Sequence, residues 1–286
     1  MGLIKKLLSF VFIVVLLVVA ALAGAYFYIR KTHGIDLIQT LRELKTLSQE
    51  VDEGALCPEA FSANDMVDVQ TLVNESAENL ITYIEGEGYS VNFDALPEQM
   101  RYVIKLTDKQ VGALADVVIK QETGGVITVG GKQIPLALKQ VDFSSVGDAG
   151  ATLAVVVALD ITPFKAEMKS GFPFDWLKGY IPDALYISST VRVEKGVEAF
   201  SYAVSHESLC INALSFKDTE DLFHTLNVFF RFGEASELNL RVGEAVMSAL
   251  VGTPTEQGLA RSLSPIGATD FSFLLEEGKE YFAVLR

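Results

Sequence analysis

Residues 151–162, ATLAVVVALDIT, decide the fold class because their hydrophobic pattern repeats every second residue. One face carries Leu153, Val155, Val157, Leu159 and Ile161, and the other carries Thr152, Ala154, Val156, Ala158 and Asp160. Such alternation is typical of an antiparallel strand with one buried face. The same period in residues 134–139, 185–194 and 200–204 predicts that further strands join this one.

A helix is predicted immediately upstream of these strands. Residues 107–110 (TDKQ) form a capping-box sequence, in which Thr107 and Gln110 can each bond the other's backbone amide. The apolar residues that follow have helical spacing: Val111, Leu114, Ala115, Val118 and Ile119. The stretch before the cap, residues 101–106, reads as a short strand.

Other helical patterns flank this region. Helices are predicted over residues 35–52, 63–85, 218–232 and 236–251, and a C-terminal hairpin over 271–275 and 281–285. The 35–52 helix can extend a membrane anchor as a stalk or pack on its own domain, and its apolar spacing favours packing. Strands and helices are partly segregated, so we expect an α+β fold in which a curved antiparallel sheet packs on helices.

The N-terminal region contains a long apolar segment. Residues 7–29 carry no charged side chain and are long enough, as a helix, to cross a bilayer. A cleaved signal peptide is the alternative, because Ala21 and Ala23 resemble a cleavage signature. The apolar character continues through Tyr26–Ile29, longer than a secretory core, which favours an uncleaved signal-anchor.

Charge divides the chain at the end of this segment. Residues 1–31 hold four basic and no acidic side chains, so residues 32–286 carry 19 basic and 37 acidic side chains, a formal charge of −18. This acidity argues against a nucleic-acid partner. We expect residues 1–31 to form a cytoplasmic tip and single transmembrane anchor, residues 32–100 a juxtamembrane helical region, and residues 101–286 an extracytoplasmic body in the cell envelope.

No catalytic motif is complete. His206 and Glu207 begin a zincin-like sequence, but Cys210 stands where the second His belongs. Gly131-Lys132 is followed by Gln133, which does not match a phosphate-binding P-loop, and the G-x-S-x-G sequence of serine hydrolases is absent. We therefore predict a non-enzymatic protein with no cofactor and no metal.

The two cysteines, Cys57 and Cys210, are candidates for a disulfide, because the predicted compartment is oxidising. Free buried thiols are the alternative for both residues.

Residues 172–181 place the only Trp between two predicted strands. Phe172, Phe174 and Trp176 either plug one end of the core or form the lip of an apolar site.

The strand, the capped helix Leu106–Leu114 and the long antiparallel strands behind one membrane anchor together resemble the bacterial extracytoplasmic relatives of the tubular lipid-binding (TULIP-like) superfamily. The resemblance covers roughly residues 100–205. It implies a sheet rolled around a helix, and binding of a lipid or other apolar ligand. The interior would be lined by Leu114, Val118, Val155, Val157 and Leu159. Those residues make an ordinary core if the tube is filled, and the chain is then a structural or partner-binding envelope protein whose partners the sequence does not identify.

Overall fold

A computed structural model describes residues 30–32, 34, 36–94, 96–129, 132–166, 182–230 and 234–286. The predicted membrane segment, residues 7–29, lies outside the described residues. Among the helices that are described, none is both long and apolar enough to cross a membrane.

Helices occupy both halves of the described chain. They are α1 (Leu37–Leu47), α2 (Glu53–Leu56), α3 (Ala63–Ser76), α4 (Asp108–Thr123), α5 (Thr162–Ala166), α6 (Phe216–Phe230), α7 (Ala235–Leu250) and α8 (Leu259–Ser262). In the capping box before α4, the Thr107 amide donates to Gln110 Oε1 at 2.9 Å, as predicted.

The strands in the described ranges form three antiparallel sheets. They are β1 (Ile81–Ile84), β2 (Gly88–Val91), β3 (Ile104–Leu106), β4 (Val126–Val129), β5 (Lys132–Gly147), β6 (Gly150–Asp160), β7 (Ala184–Lys195), β8 (Tyr202–Ile211), β9 (Asp270–Glu276) and β10 (Lys279–Leu285). The largest sheet has the order β4-β5-β6-β7-β8, a second has β3-β10-β9, and β1 and β2 form a hairpin. Antiparallel sheets packed on helices confirm the predicted α+β class.

The core lies between the five-stranded sheet, the three-stranded sheet and helices α4 and α7. Phe271, Phe273 and Phe282 fill the centre with ring centroids 5.9–6.0 Å apart. Phe143 of β5 meets Phe273 at 5.3 Å, which ties the two sheets together. Aromatic pairs at these separations are favourable beyond the area that they bury.

The predicted helix over residues 63–85 is wrong in its second half. α3 ends at Ser76, and residues 81–84 form β1. The Asn74 side chain accepts from the Ile81 amide at 2.9 Å and donates to the Ile81 carbonyl at 2.7 Å. Asn79 then adopts a φ of 65°, a left-handed conformation that Asn tolerates well. This local turn reverses the chain after α3. The apolar spacing of the sequence continues through the turn, which is why it predicted a longer helix.

Helix α1 is shorter than predicted and packs on the body. It runs from an Asp36 cap, whose carboxylate accepts from Ile38 N at 3.0 Å, to Leu47. Gln39 Nε2 donates to Asp221 Oδ2 of α6 at 2.7 Å, and Asn212 donates to the Leu47 carbonyl at 2.9 Å. These bonds anchor α1 at both ends.

Candidate functional site

A cleft of about 790 Å³ opens where the end of α4, the β7–β8 turn, α7 and the loop after α7 meet. We call it the glutamate cleft, after the four glutamates on its walls: Glu122, Glu198, Glu244 and Glu256. Its other charged residues are Arg241 and Arg261, and Phe200 and Tyr202 are its aromatic residues. Its volume lies within the range of small-ligand sites.

The loop after α7 positions Glu256. Gly252 has a φ of 86°, and Gly258 lies so close that a Cβ there would be 2.2 Å from both Gly252 N and Ser248 O. Glycine is needed at these positions because the two backbone segments touch. Ser248 donates to Glu256 Oε2 at 2.8 Å, which fixes the carboxylate at the wall of the cleft.

The turn between β7 and β8 positions Phe200. Its φ of 58° is left-handed, and its amide donates to Asp270 Oδ1 at 2.8 Å. Arg261 Nη2 donates to the Phe200 carbonyl at 2.8 Å, and its guanidinium lies 5.7 Å from the centre of the Phe200 ring. Asp270 also pairs with Lys195 at 2.6 Å. This network holds one wall of the cleft rigid.

The electrostatics of the cleft are negative. Burial raises the pKa of Glu122, and the neighbouring Glu256 raises it further. Burial together with Glu244 and Glu256 raises the pKa of Tyr202 to about 12, although Arg261 opposes the shift. Tyr202 therefore stays a neutral phenol at physiological pH, and it can donate or accept a hydrogen bond.

Arg261 has spare hydrogen-bonding capacity beside the cleft. Its Nε is buried and has no hydrogen-bond partner in the part of the chain that the structure describes. A buried donor without a partner is costly, so this side chain is held in place at the expense of one hydrogen bond. The arrangement offers carboxylates, phenol and guanidinium for binding a ligand.

The predicted lip residues Phe172, Phe174 and Trp176 lie outside the described residues. Of the predicted lining residues, Leu114, Val118, Val155 and Val157 belong to the main hydrophobic cluster, and Leu159 packs against it. None of these five lines the glutamate cleft. The structure thus brings them together, but as part of a core and away from this cleft.

Cys57 and Cys210 are both free thiols, so the candidate disulfide is not formed. The segment around Cys57 is attached to β5, since Lys139 pairs with Glu53 at 2.9 Å and the Glu59 amide donates to Gln140 Oε1. Cys210 lies on β8, three strands away from β5 in the sheet. The segment around Cys57 also contacts β7, because the Tyr186 hydroxyl donates to Glu53 Oε2 at 2.7 Å, and the two thiols remain unpaired.

His206 does not assemble a metal site with its neighbours. Its Nδ1 lies 2.5 Å from Asn239 Nδ2, and its ring lies beside Phe216. Within the described residues, no group of three or more His, Cys, Asp or Glu side chains is arranged to hold a metal ion. The side chain of His206 is part of the packing between β8 and α7.

Comparison of the chain with protein-family models, with curated proteins and with solved structures finds no match.

The sequence did not predict the glutamate cleft. Its walls come from four separate segments, and each contributes residues that look like an ordinary solvated surface. The one signal is the spacing of Gly252, Pro254 and Gly258 directly after a helix, which marks a tight loop but not its charged lining.

Proposed function

We propose that this chain is a single-pass, membrane-anchored extracytoplasmic protein without catalytic activity, and that it binds a positively charged segment of a partner protein in the glutamate cleft. The apolar length of residues 7–29 supports the anchor. The observation that carries the binding proposal is the cleft itself, where four glutamates surround Phe200 and Tyr202.

The composition of the cleft favours a peptide-like ligand. A basic side chain would meet Glu244 and Glu256, and its aliphatic part would lie along the aromatic wall. The formal charge of −18 on residues 32–286 would attract such a segment from a distance.

An apolar ligand inside the sheet is the second candidate, and it rests on the resemblance to tubular lipid-binding proteins. The packing of Leu114, Val118, Val155 and Val157 in one buried cluster favours a filled interior, and hence a partner-binding protein. Native mass spectrometry of the detergent-extracted protein separates the two candidates, because a stoichiometric co-purifying lipid would support the apolar ligand.

The experiment for the cleft is a binding titration of the full-length protein in detergent. The probes are a fluorescent ten-residue peptide of alternating Lys and Leu and its Glu-Leu counterpart. We expect the Lys peptide to bind, and E244Q/E256Q to weaken its binding by about tenfold, since each exposed ion pair contributes up to about 1 kcal/mol.

The control is E237Q, which removes an exposed charge from the first turn of α7 outside the cleft. It should bind the Lys peptide like the wild type. Equal affinity for both peptides, or an unchanged affinity in E244Q/E256Q, would contradict the proposal. Protease added to intact cells tests the location separately, because an extracytoplasmic body should be degraded.

A further inference from the structure

Helix α1 buries an acidic residue and exposes apolar ones. Glu43 is 4% exposed, whereas Ile38 is 53% and Leu41 is 44% exposed. A carboxyl group is among the side chains least often fully buried unless it is paired. Burial of apolar surface therefore does not explain how α1 is oriented on α6.

The Glu43 carboxylate has no cation beside it among the described residues, and the Gln39 amide is the one side chain there that favours its charged form. Both carboxylate oxygens are buried, and neither has a hydrogen-bond partner in the described part of the chain. Nearby carboxylates are engaged: Asp218 accepts from the Ser215 hydroxyl at 2.7 Å, and Asp221 accepts from Gln39 at 2.7 Å. Glu43 is thus a buried acid that no cation of the described chain neutralises.

A cavity of about 490 Å³ lies beside Glu43, between α1 and the start of α6. We call it the Glu43 cavity. Its lining includes two further acids, Asp36 and Asp218, and Arg42 is the one basic residue among the described lining residues. Ile38 and Leu214 supply apolar lining to the same space.

The charge and size of this cavity limit the kinds of ligand that fit it. The described acids are not grouped so as to hold a metal ion, and the space is much larger than a bare cation. Burial raises the pKa of Glu43, and the carboxylates of Asp221, Asp218 and Asp36 raise it further, against the effect of the Gln39 amide. A cation that pairs with the Glu43 carboxylate would oppose this shift, because it stabilises the charged form.

We propose that the Glu43 cavity binds an alkylammonium ligand with at least two positive charges, such as a linear diamine or polyamine. One ammonium pairs with Glu43, and a second pairs with Asp218, since Asp36 already pairs with Arg30 at 3.5 Å and caps α1. The methylene chain between them lies against Ile38 and Leu214. This site is separate in its residues from the glutamate cleft.

The experiment is isothermal titration calorimetry of full-length protein in detergent with cadaverine and with spermidine. 1,5-Pentanediol, which has the same length as cadaverine but no charge, is the matched neutral probe. We expect both amines to bind and the diol to give no signal. E43Q should weaken amine binding at least tenfold, because the amide keeps the shape of the side chain and removes its charge.

Three variants separate this proposal from the proposed function and from misfolding. E50Q removes an exposed charge just beyond α1 and should bind amines like the wild type. E244Q/E256Q alters the glutamate cleft and should also leave amine binding unchanged. If E43Q fails to fold, D218N gives the second test, since its amide can still bond Ser215, and it should weaken spermidine binding several-fold.

N-acetyl-lysine methylamide, which mimics a lysine residue within a protein, tests whether the ammonium group belongs to a free amine or to a lysine side chain. Tighter binding of cadaverine than of N-acetyl-lysine methylamide, which carries a single charge, assigns the site to free diamines, and the reverse order would contradict the second ammonium position. The proposal is overturned if the wild type binds neither amine, if the diol binds as well as cadaverine, or if E43Q and D218N both bind spermidine with wild-type affinity.

Discussion

Some acidic side chains of this protein are buried, although acidic side chains usually stay in contact with solvent. Asp108, at the first turn of α4, has a buried Oδ1 without a hydrogen-bond partner among the described residues. Burial, with smaller contributions from Asp142 and Glu280, raises its pKa to about 6 against the opposing effect of backbone hydrogen bonds. The sequence marked Asp108 only as the second residue of a capping box. Its raised pKa depends on β5 and β10, which are distant in sequence.

Asp108 should make folding less favourable as the pH rises. Its pKa is higher in the folded than in the unfolded chain, so its stabilising contribution is full below about pH 4 and is lost as the pH passes through about 6. D108N, which stays neutral, should raise the free energy of unfolding at pH 7.5 by about 1–2 kcal/mol, after allowance for solvent screening.

Urea denaturation at pH 4.0, 6.0 and 7.5 measures this effect. The gain from D108N over the wild type should shrink toward pH 4. D68N, on an exposed position of α3, is the control and should show no such pH dependence. A gain that is constant across the three pH values would show that the carboxyl does not titrate as proposed.

At the scale of elements, periodicity and capping residues predicted most helices and strands, because these signals are local. The hairpin of β9 and β10, the alternation in β6 and the start of α4 all agree with the sequence. The failure at residues 77–85 has a local cause too, since the side chain of Asn74 bonds the backbone of Ile81. Apolar spacing alone does not reveal a side chain that replaces a helical hydrogen bond.

The capping box of α4 should contribute measurably to stability. T107A removes the hydroxyl that caps the first turn and should lower the free energy of unfolding by about 1 kcal/mol. Urea denaturation at pH 7.0 measures it. T71A is the matched control, because Thr71 is exposed on α3 and its hydroxyl donates to Val67 O one turn earlier in the same helix. Equal losses in T107A and T71A would argue against a capping contribution.

The loop after α7 couples stability to the shape of the glutamate cleft. G258A places a methyl group 2.2 Å from the backbone of Gly252 and Ser248, so the loop must move. We expect a loss of about 2–3 kcal/mol in the free energy of unfolding and weaker binding of the Lys-Leu peptide. Thermal denaturation and the peptide titration measure the two effects.

G147A is the control for this substitution, because a Cβ at Gly147 would have no neighbour within 4 Å. It should change neither stability nor peptide binding appreciably. Wild-type peptide affinity in a folded G258A protein would show that the loop does not shape the binding site.

At the scale of the whole molecule, the sequence predicted the α+β class but not the cleft. The fold class follows from the hydrophobic periodicity of each segment, which can be recognised without knowing the rest of the chain. The cleft follows from how α4, the β7–β8 turn, α7 and the 252–256 loop meet, and none of their residues is unusual alone. The long apolar face of β6 likewise predicted that this face is buried. It did not predict whether the face packs in a filled core or lines a cavity, because both require the same apolar residues.

The acidity of the whole molecule leads to a last prediction, for the rate of association. With a formal charge of −14, the chain should attract a basic peptide over distances comparable to the Debye length, which is about 10 Å at 0.1 M salt and about 3 Å at 1 M. We expect the association rate constant of the Lys-Leu peptide, measured by stopped flow, to fall at least tenfold between 0.05 and 0.5 M NaCl. Because long-range attraction depends on the total charge, E244Q/E256Q should keep nearly the same salt dependence and lose affinity mainly through faster dissociation. A salt dependence that disappears in this variant would instead mean that the cleft alone attracts the ligand, and that the remaining acidic surface serves only solubility.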